Sequence, residues 1–288
     1  FDTHRDESFE DVGQHLDVAA VHTDVDVDED TKWKKIKTFK VKPDEDQDDF
    51  DFWPIASAPE DGQFYVVSDE DTDARKSIKI FDLEKEEFVK TVYEHPEYDV
   101  GGAVLALGTG EYAGAWYVDD RLQYDLLDKN LQKHVDAINT YFENRQNVSL
   151  LGFNKEGNRA VVYANAPGNP GGYYLYDFNA QKIERLISRV PSLTGHLKAE
   201  TDILKIKTRD GTELTAYHTY PESQPSGAPL IVMPHGGPEV RDSYGYDSTV
   251  EYFAYRGYQV LQVNFRGSSG YGRAFAEAGY GEWGDVMQ

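Results

Sequence analysis

The stretch "PLIVMPHGGPEVRDSYGYD", Pro229 to Asp247, carries an apolar run straight into His235-Gly236-Gly237-Pro238. Two glycines without Cβ let a backbone bend sharply, approach a ligand closely and turn its N–H groups outward. Amides held in that way can stabilise the oxyanion formed when a carbonyl is attacked, and one good donor is typically worth about 10²–10³ in rate. The same four letters also suit a tight strand-to-helix turn that binds nothing. A second glycine-rich stretch, "NFRGSSGYG" (Asn264–Gly272), follows the next apolar run, so two neighbouring strand ends carry glycine loops. It is no dinucleotide fingerprint, because Phe275 stands where the third glycine belongs. No Gly-Lys-Ser/Thr closes it as a phosphate-cradling loop either.

The elements that must position these loops begin near residue 200. "ILKIKTRDGTELTAYHTYP" reads as a hairpin, two alternating strands around the turn dipeptide Asp210-Gly211. A polar, proline-rich loop follows, and then "LIVM", a continuous apolar run of the kind expected for a strand buried on both faces. A helix is expected around "DSTVEYFAYRGY", with Gly257 as its stop, then a buried strand "QVLQVNF" and a further helix from "RAFAEA". Strand, loop, helix, strand is the start of an open α/β sheet, and ligands meet such sheets at the carboxyl ends of the strands.

The preceding residues have another texture. "FYVVSD", "SIKIFDL", "RAVVYAN" and "GYYLYDF" are short β-branched and aromatic runs bounded by turn residues. Two segments repeat in register: Gly62 with Gly157 and Asp82 with Asp177 are each offset by about 95 residues. That is twice a β-propeller blade of roughly 45–50 residues. "DLLDKNLQKHVDAINTYFEN" (Asp125–Asn144) interrupts the rhythm. Leu127, Leu131, Val135, Ile138 and Phe142 recur at three- and four-residue steps, which predicts an amphipathic helix packed on the blades. His134 falls off the stripe and is expected at the solvated surface.

Composition narrows the function classes. The 288 residues carry a formal charge of −23, which argues against sequence-independent nucleic-acid binding. With no cysteine, disulfides, thiolate metal sites and cysteine nucleophiles are excluded. "DVDVDED" ahead of "KWKKIKTFKVK" sets an acidic block against a basic one, read as solvated strand faces. Counted from Asp24 as a calcium loop, it puts Glu29 and Lys35 where Gly and Glu are required. No apolar run approaches the roughly 20 residues of a membrane span. The chain opens on Phe1 rather than Met and stops at Gln288, and both ends are read as cut. Its acidity leans towards a periplasmic or secreted setting.

"HGGP", then "FAYRGYQVLQVNFRGSSGYGRAF" and "WG", resemble the beginning of the catalytic domain of the prolyl oligopeptidase family of serine peptidases, in its acylaminoacyl-peptidase and dipeptidyl-peptidase-like branch. "RDGTEL" before a proline-rich loop matches the family's entry into that domain. The resemblance covers about residues 205–288. It implies a mixed architecture: partial β-propeller blades over 1–197, then the truncated N-terminal part of an α/β-hydrolase domain over 198–288. It also implies that the Gly237 backbone N–H, with Gly236 shaping the loop, helps bind the tetrahedral oxyanion. Some relatives carry Tyr at the position of His235 and donate from its hydroxyl. With His here, the backbone donor is expected to act alone. Arg266 matches the family's Arg in "RGS" and is read as a tie between loops.

The family's nucleophile sits on a later Gly-x-Ser-x-Gly elbow, followed by Asp and then His, and no such elbow is present. "GSSG" has the wrong spacing, so Ser268 and Ser269 are loop residues, and neither His235 nor His218 stands in the order a triad base requires. The expectation is a serine peptidase of short peptides whose Ser-His-Asp triad lies beyond residue 288. The chain would itself be inactive, with no metal and no organic cofactor, while oligomeric state stays open. The alternatives are a carboxylesterase-type α/β-hydrolase and a non-catalytic propeller binding module.

Overall fold

The computed structural model describes residues 15–20, 34–40, 52–70, 75–106, 111–223 and 227–287. Strands β1 (His15–Ala20) and β2 (Lys34–Lys40) pair antiparallel. The acidic block "DVDVDED" lies outside the described residues, as does the front of the basic one.

Three antiparallel sheets follow, each a simple meander. The first contains β3 (Phe52–Ser57), β4 (Gln63–Ser68), β5 (Ser77–Asp82) and β6 (Glu87–Tyr93). The second contains β7 (Val100–Leu105), β8 (Tyr112–Val118) and β9 (Leu122–Leu126). The third contains β10 (Asn147–Phe153), β11 (Arg159–Ala166), β12 (Asn169–Asp177) and β13 (Lys182–Ser188). The repeat read from Gly62/Gly157 and Asp82/Asp177 therefore relates the first sheet to the third, with one sheet between them.

The two copies share their turn chemistry. Gly62 and Gly157 both have positive φ, +75° and +67°. Asp82 accepts the N–H groups of Glu84 and Lys85, and Asp177 those of Asn179 and Ala180. These contacts hold both carboxyls below the usual aspartate range, the N–H of Lys85 acting most on Asp82 and that of Ala180 on Asp177. Each hairpin then passes through a left-handed residue that is not glycine, Glu86 at φ +56° and Gln181 at φ +50°.

Helix α1 (Lys129–Tyr141) is shorter than the periodicity implied, because Asp128 caps it by accepting from Asn130 N and Leu131 N. Leu127 lies ahead of that cap and is exposed. The helix lays Ile138 and the following Phe142 against Val148, Val162, Ala164, Tyr174 and Tyr176 of the third sheet. His134 is the correction here. It is buried at 9% exposure, its Nδ1 lies 2.9 Å from Tyr176 Oη, and its ring meets Phe178 edge-on at 5.0 Å. A hydroxyl from another element replaces the water that its place off the apolar stripe suggested.

The last sheet is mixed. Strands β14 (Ala199–Lys207) and β15 (Glu213–Pro221) form the expected hairpin, with Gly211 at φ +91° in the turn. The order runs β14, β15, β17 (Gln259–Asn264) and β16 (Leu230–Val232), with β16 parallel to β17. Between them runs α2 (Ser248–Tyr255), capped by Asp247 and ended at Gly257. "LIVM" is not buried on both faces: β16 is a three-residue edge strand with Leu230 and Val232 more than half exposed. Strand β17 alternates, and its inward positions include Gln262 and Asn264, polar side chains where an apolar strand was expected. Helix α3 (Arg273–Glu277) closes the described order. Among the described residues no helix is long and apolar enough to cross a membrane.

Candidate functional site

The chain leaves β16 at Val232, and the loop His235–Val240 stands at the carboxyl end of that strand. Gly237 has φ +124°, a value L side chains rarely adopt. A Cβ there would meet Glu239 N at 2.8 Å and Val240 N at 3.2 Å. Gly236 differs, since its φ is not positive and a Cβ would meet nothing within 4 Å. Glycine is thus a conformational requirement at Gly237 and an open position at Gly236. Both residues are exposed, and among the described residues no carbonyl or side chain accepts from either amide.

Both limbs of the loop are held. On the entering limb the His235 ring stacks on Phe265 at 4.5 Å, donates from Nδ1 to Gly236 O at 2.8 Å and sets Nε2 2.8 Å from Ser268 Oγ. With both ring nitrogens engaged inside the protein, His235 is not presented as a donor to a ligand. On the leaving limb Val240 N donates to Pro238 O, and Ser269 N donates to Val240 O. Asp242 is tied to Asn264 twice, its N–H to Oδ1 at 2.8 Å and its carbonyl to Nδ2 at 3.0 Å. One Asp242 carboxylate oxygen accepts from Gln262 at 2.9 Å while the other is buried without a partner, and burial raises this carboxyl above the ordinary aspartate range. The buried polar residues of β17 therefore serve the loop.

Ser268, His235 and Asp242 bring three catalytic residue types close together, but the geometry is not a triad. Ser268 is 0% exposed, and its Oγ lies 2.6 Å from Phe265 O. No Asp242–His235 hydrogen bond orients the ring. His218 lies elsewhere on the sheet, with Nε2 2.8 Å from Gln259 Oε1. Among the described residues no three His, Asp or Glu side chains gather into a metal site.

The second glycine loop braces the first. Gly267, at φ +100°, lets Pro238 close in: a Cβ on Gly267 would stand 3.1 Å from Pro238 Cβ. Arg266 takes no part in the open face. It pairs with Asp210 in the hairpin turn, reaches Thr212 Oγ1 at 3.2 Å and donates to Val286 O from Nε and Nη2. Asp210 also accepts from the Thr208 hydroxyl and the Thr212 N–H, so its carboxyl is held well below the usual range. The loop tie read from the sequence at Arg266 has these partners.

What the sequence did not signal is how the loops dock on the upstream sheets. Arg241 donates to Val118 O at 3.2 Å and Asp119 O at 2.9 Å, Asp99 accepts from Gly272 N, and Arg273 pairs with Asp69. Tyr244 Oη donates to Arg145 O at 3.2 Å, and the Tyr244 carbonyl accepts from Asn147. Glu251, 3% exposed, accepts from Gly168 N with one oxygen and leaves the other unpartnered.

A family model described as prolyl oligopeptidase family matches residues 244–288. Dipeptidyl aminopeptidase BIII of Pseudoxanthomonas mexicana is 31% identical over 226 residues, 75% of this chain and 32% of that protein. Dipeptidyl peptidase family member 6 of Caenorhabditis elegans is 34% identical over 149 residues, 44% of this chain and 20% of that protein. The chain therefore spans a third or less of these curated relatives. A solved Mycobacterium tuberculosis puromycin-hydrolyzing peptidase superposes with a TM-score of 0.61 at 22% identity, over 89% of this chain and 38% of its own.

Proposed function

Because this chain belongs to the prolyl oligopeptidase family, we propose that it is part of a serine-type peptidase acting on short peptides, and that its Gly237 amide is an oxyanion donor. The antiparallel sheets over 1–197 are read as propeller blades and the mixed sheet over 198–288 as the start of an α/β-hydrolase domain. The Ser-His-Asp triad is assigned to residues outside these 288. In the complete enzyme the serine would attack the peptide carbonyl, histidine would carry the proton to the leaving amine, and aspartate would orient the histidine. The tetrahedral oxygen would lie against Gly237 N–H, with Gly236 leaving the approach open.

The observation that carries this reading is the exposed, unpartnered Gly237 amide in a loop whose flanks are fixed. Because both nitrogens of His235 are tied back, the donor is the backbone alone. The test treats the full-length protein and the 288-residue chain with a fluorophosphonate serine probe and with aminoacyl and acylaminoacyl chromogenic amides. Labelling and amide cleavage are expected of the full-length protein only. Stoichiometric labelling of the 288-residue chain would overturn the assignment of the triad outside it. Cleavage of short esters without any amide would replace the peptidase by an esterase.

A further inference from the structure

Arg241 is half-buried and held on every side of its guanidinium that meets the protein. Its guanidinium donates to the carbonyls of Val118 and Asp119 at the end of β8, donates to Tyr271 Oη at 3.0 Å, and lies 4.4 Å over the Tyr271 ring. Tyr271 Oη in turn accepts from Asn264 Nδ2 at 2.7 Å, the amide that also holds the Asp242 carbonyl. Gly270 is shaped to this side chain, since a Cβ there would stand 2.6 Å from Arg241 Nη1 and 2.9 Å from its Cδ. The second glycine loop thus seats an arginine, and that arginine is four residues from the Gly237 amide.

Between Gly237 and Arg241 the backbone has little freedom. Val240 N is bonded to Pro238 O at 2.7 Å, and Val240 O accepts from Ser269 N at 3.1 Å. A shift of Arg241 would therefore pull on Val240 and, through its bond to Pro238, on the residue next to Gly237. The guanidinium fork suits the task because it meets two carbonyls and stacks on a ring at once, which an ammonium cannot do.

The geometry points to Arg241 as a positioning residue for the Gly237 amide, one that fastens the leaving limb of the loop to the turn between β8 and β9. The upstream sheets then set where the oxyanion donor stands. This rests on the peptidase reading above and adds to it a residue that does not itself touch substrate.

The experiment uses the full-length protein with Arg241→Met, Arg241→Lys and, as a control, Lys205→Met. Lys205 reaches the same turn through Asp120 at 3.0 Å, and Thr215 Oγ1 of its own hairpin at 3.0 Å, but bonds to no residue of the His235–Val240 loop, so its loss reports the docking of the regions without touching that loop. A donor displaced by a fraction of an ångström predicts a kcat about 10- to 100-fold lower for Arg241→Met, with KM within about threefold of wild type. Arg241→Lys should recover part of the loss, and Lys205→Met should turn over at about the wild-type rate. An unchanged kcat in Arg241→Met, or an equal loss in Lys205→Met, would overturn the inference.

Hydrogen exchange at Val240 and Asp242 gives a readout that needs no turnover, because both amides are bonded in the loop. Exchange about tenfold faster in Arg241→Met but not in Lys205→Met supports the inference, and wild-type exchange refutes it. If the wild-type protein neither cleaves amides nor takes the fluorophosphonate, the peptidase reading falls, and exchange alone decides whether Arg241 fixes the loop.

Discussion

Gly237→Ala in the full-length protein should remove most turnover while leaving the fold standing. At φ +124° an L-residue is held in a sparsely populated region, at a cost of order 1–3 kcal/mol. The added Cβ would also stand 2.8 Å from Glu239 N and 3.2 Å from Val240 N and Cγ2. Two of those neighbours are backbone atoms, so the loop must move by several tenths of an ångström and rotate its φ towards allowed values. An oxyanion donor works only within a narrow window, roughly 2.7–3.1 Å from the developing charge, and its loss costs about 10²–10³ in kcat, or ~2.7–4 kcal/mol. Both limbs of the loop are held, so the strain is only partly relieved; at about 2–4 °C per kcal/mol for a domain of this size the melting temperature should fall by about 2–12 °C. Gly236→Ala is the contrast. With no atom within 4 Å of its Cβ and no positive φ, it should fold and keep kcat within about fivefold, any effect falling on KM where the methyl narrows the approach. The assay is steady-state hydrolysis of a chromogenic amide beside a thermal melt. A Gly237→Ala enzyme within threefold of wild-type kcat, or a Gly236→Ala enzyme as damaged as Gly237→Ala, would refute the donor assignment.

Tyr176→Phe leaves the buried His134 Nδ1 without its partner at 2.9 Å, and an unsatisfied buried polar group costs about 1–3 kcal/mol, so the melt should shift down; an unchanged midpoint would refute the burial argument. Glu251 is pushed above the ordinary glutamate value of 4.5, chiefly by burial, so its contribution is fully present below that value and is lost as pH rises through the higher folded-state value. Glu251→Gln keeps an acceptor for Gly168 N and cannot ionise, so its melting temperature should gain on wild type as pH rises above about 4.5; a gap that stays flat with pH would refute this.

What could be read from the sequence was what the chain decides locally. The 95-residue repeat was visible because each copy needs a turn glycine and an aspartate that caps its own hairpin, and both are side-chain identities. Glu86 and Gln181, which complete the same hairpins in the left-handed region, were invisible because neither type marks such a turn. Where the outcome depended on a distant neighbour, composition misled. His134 looked solvated until Tyr176, 42 residues on, supplied a hydroxyl. "LIVM" looked doubly buried; among the described residues β16 has a strand on one side only and leaves Leu230 and Val232 exposed, in a chain that spans a third or less of its curated relatives.

The site divides in the same way, and the division bears on how the proposed oxyanion loop would work. The demand for glycine at Gly237 is written in the residue itself, because no other type suits that φ in that space. The upstream partners of Arg241 could not be read, because they are backbone carbonyls 122 and 123 residues earlier, and a carbonyl carries no residue signature. Gly270 gave a visible mark of that contact but was open to misreading, since a glycine that makes room for a ligand and one that makes room for an arginine look alike in sequence. Of the two glycine loops, the first leaves amides open at its exposed apex, while the second is filled by Pro238 and Arg241 from within. The proposed donor at Gly237 would draw on both kinds of glycine, because an exposed amide is a precise donor only if its loop is braced.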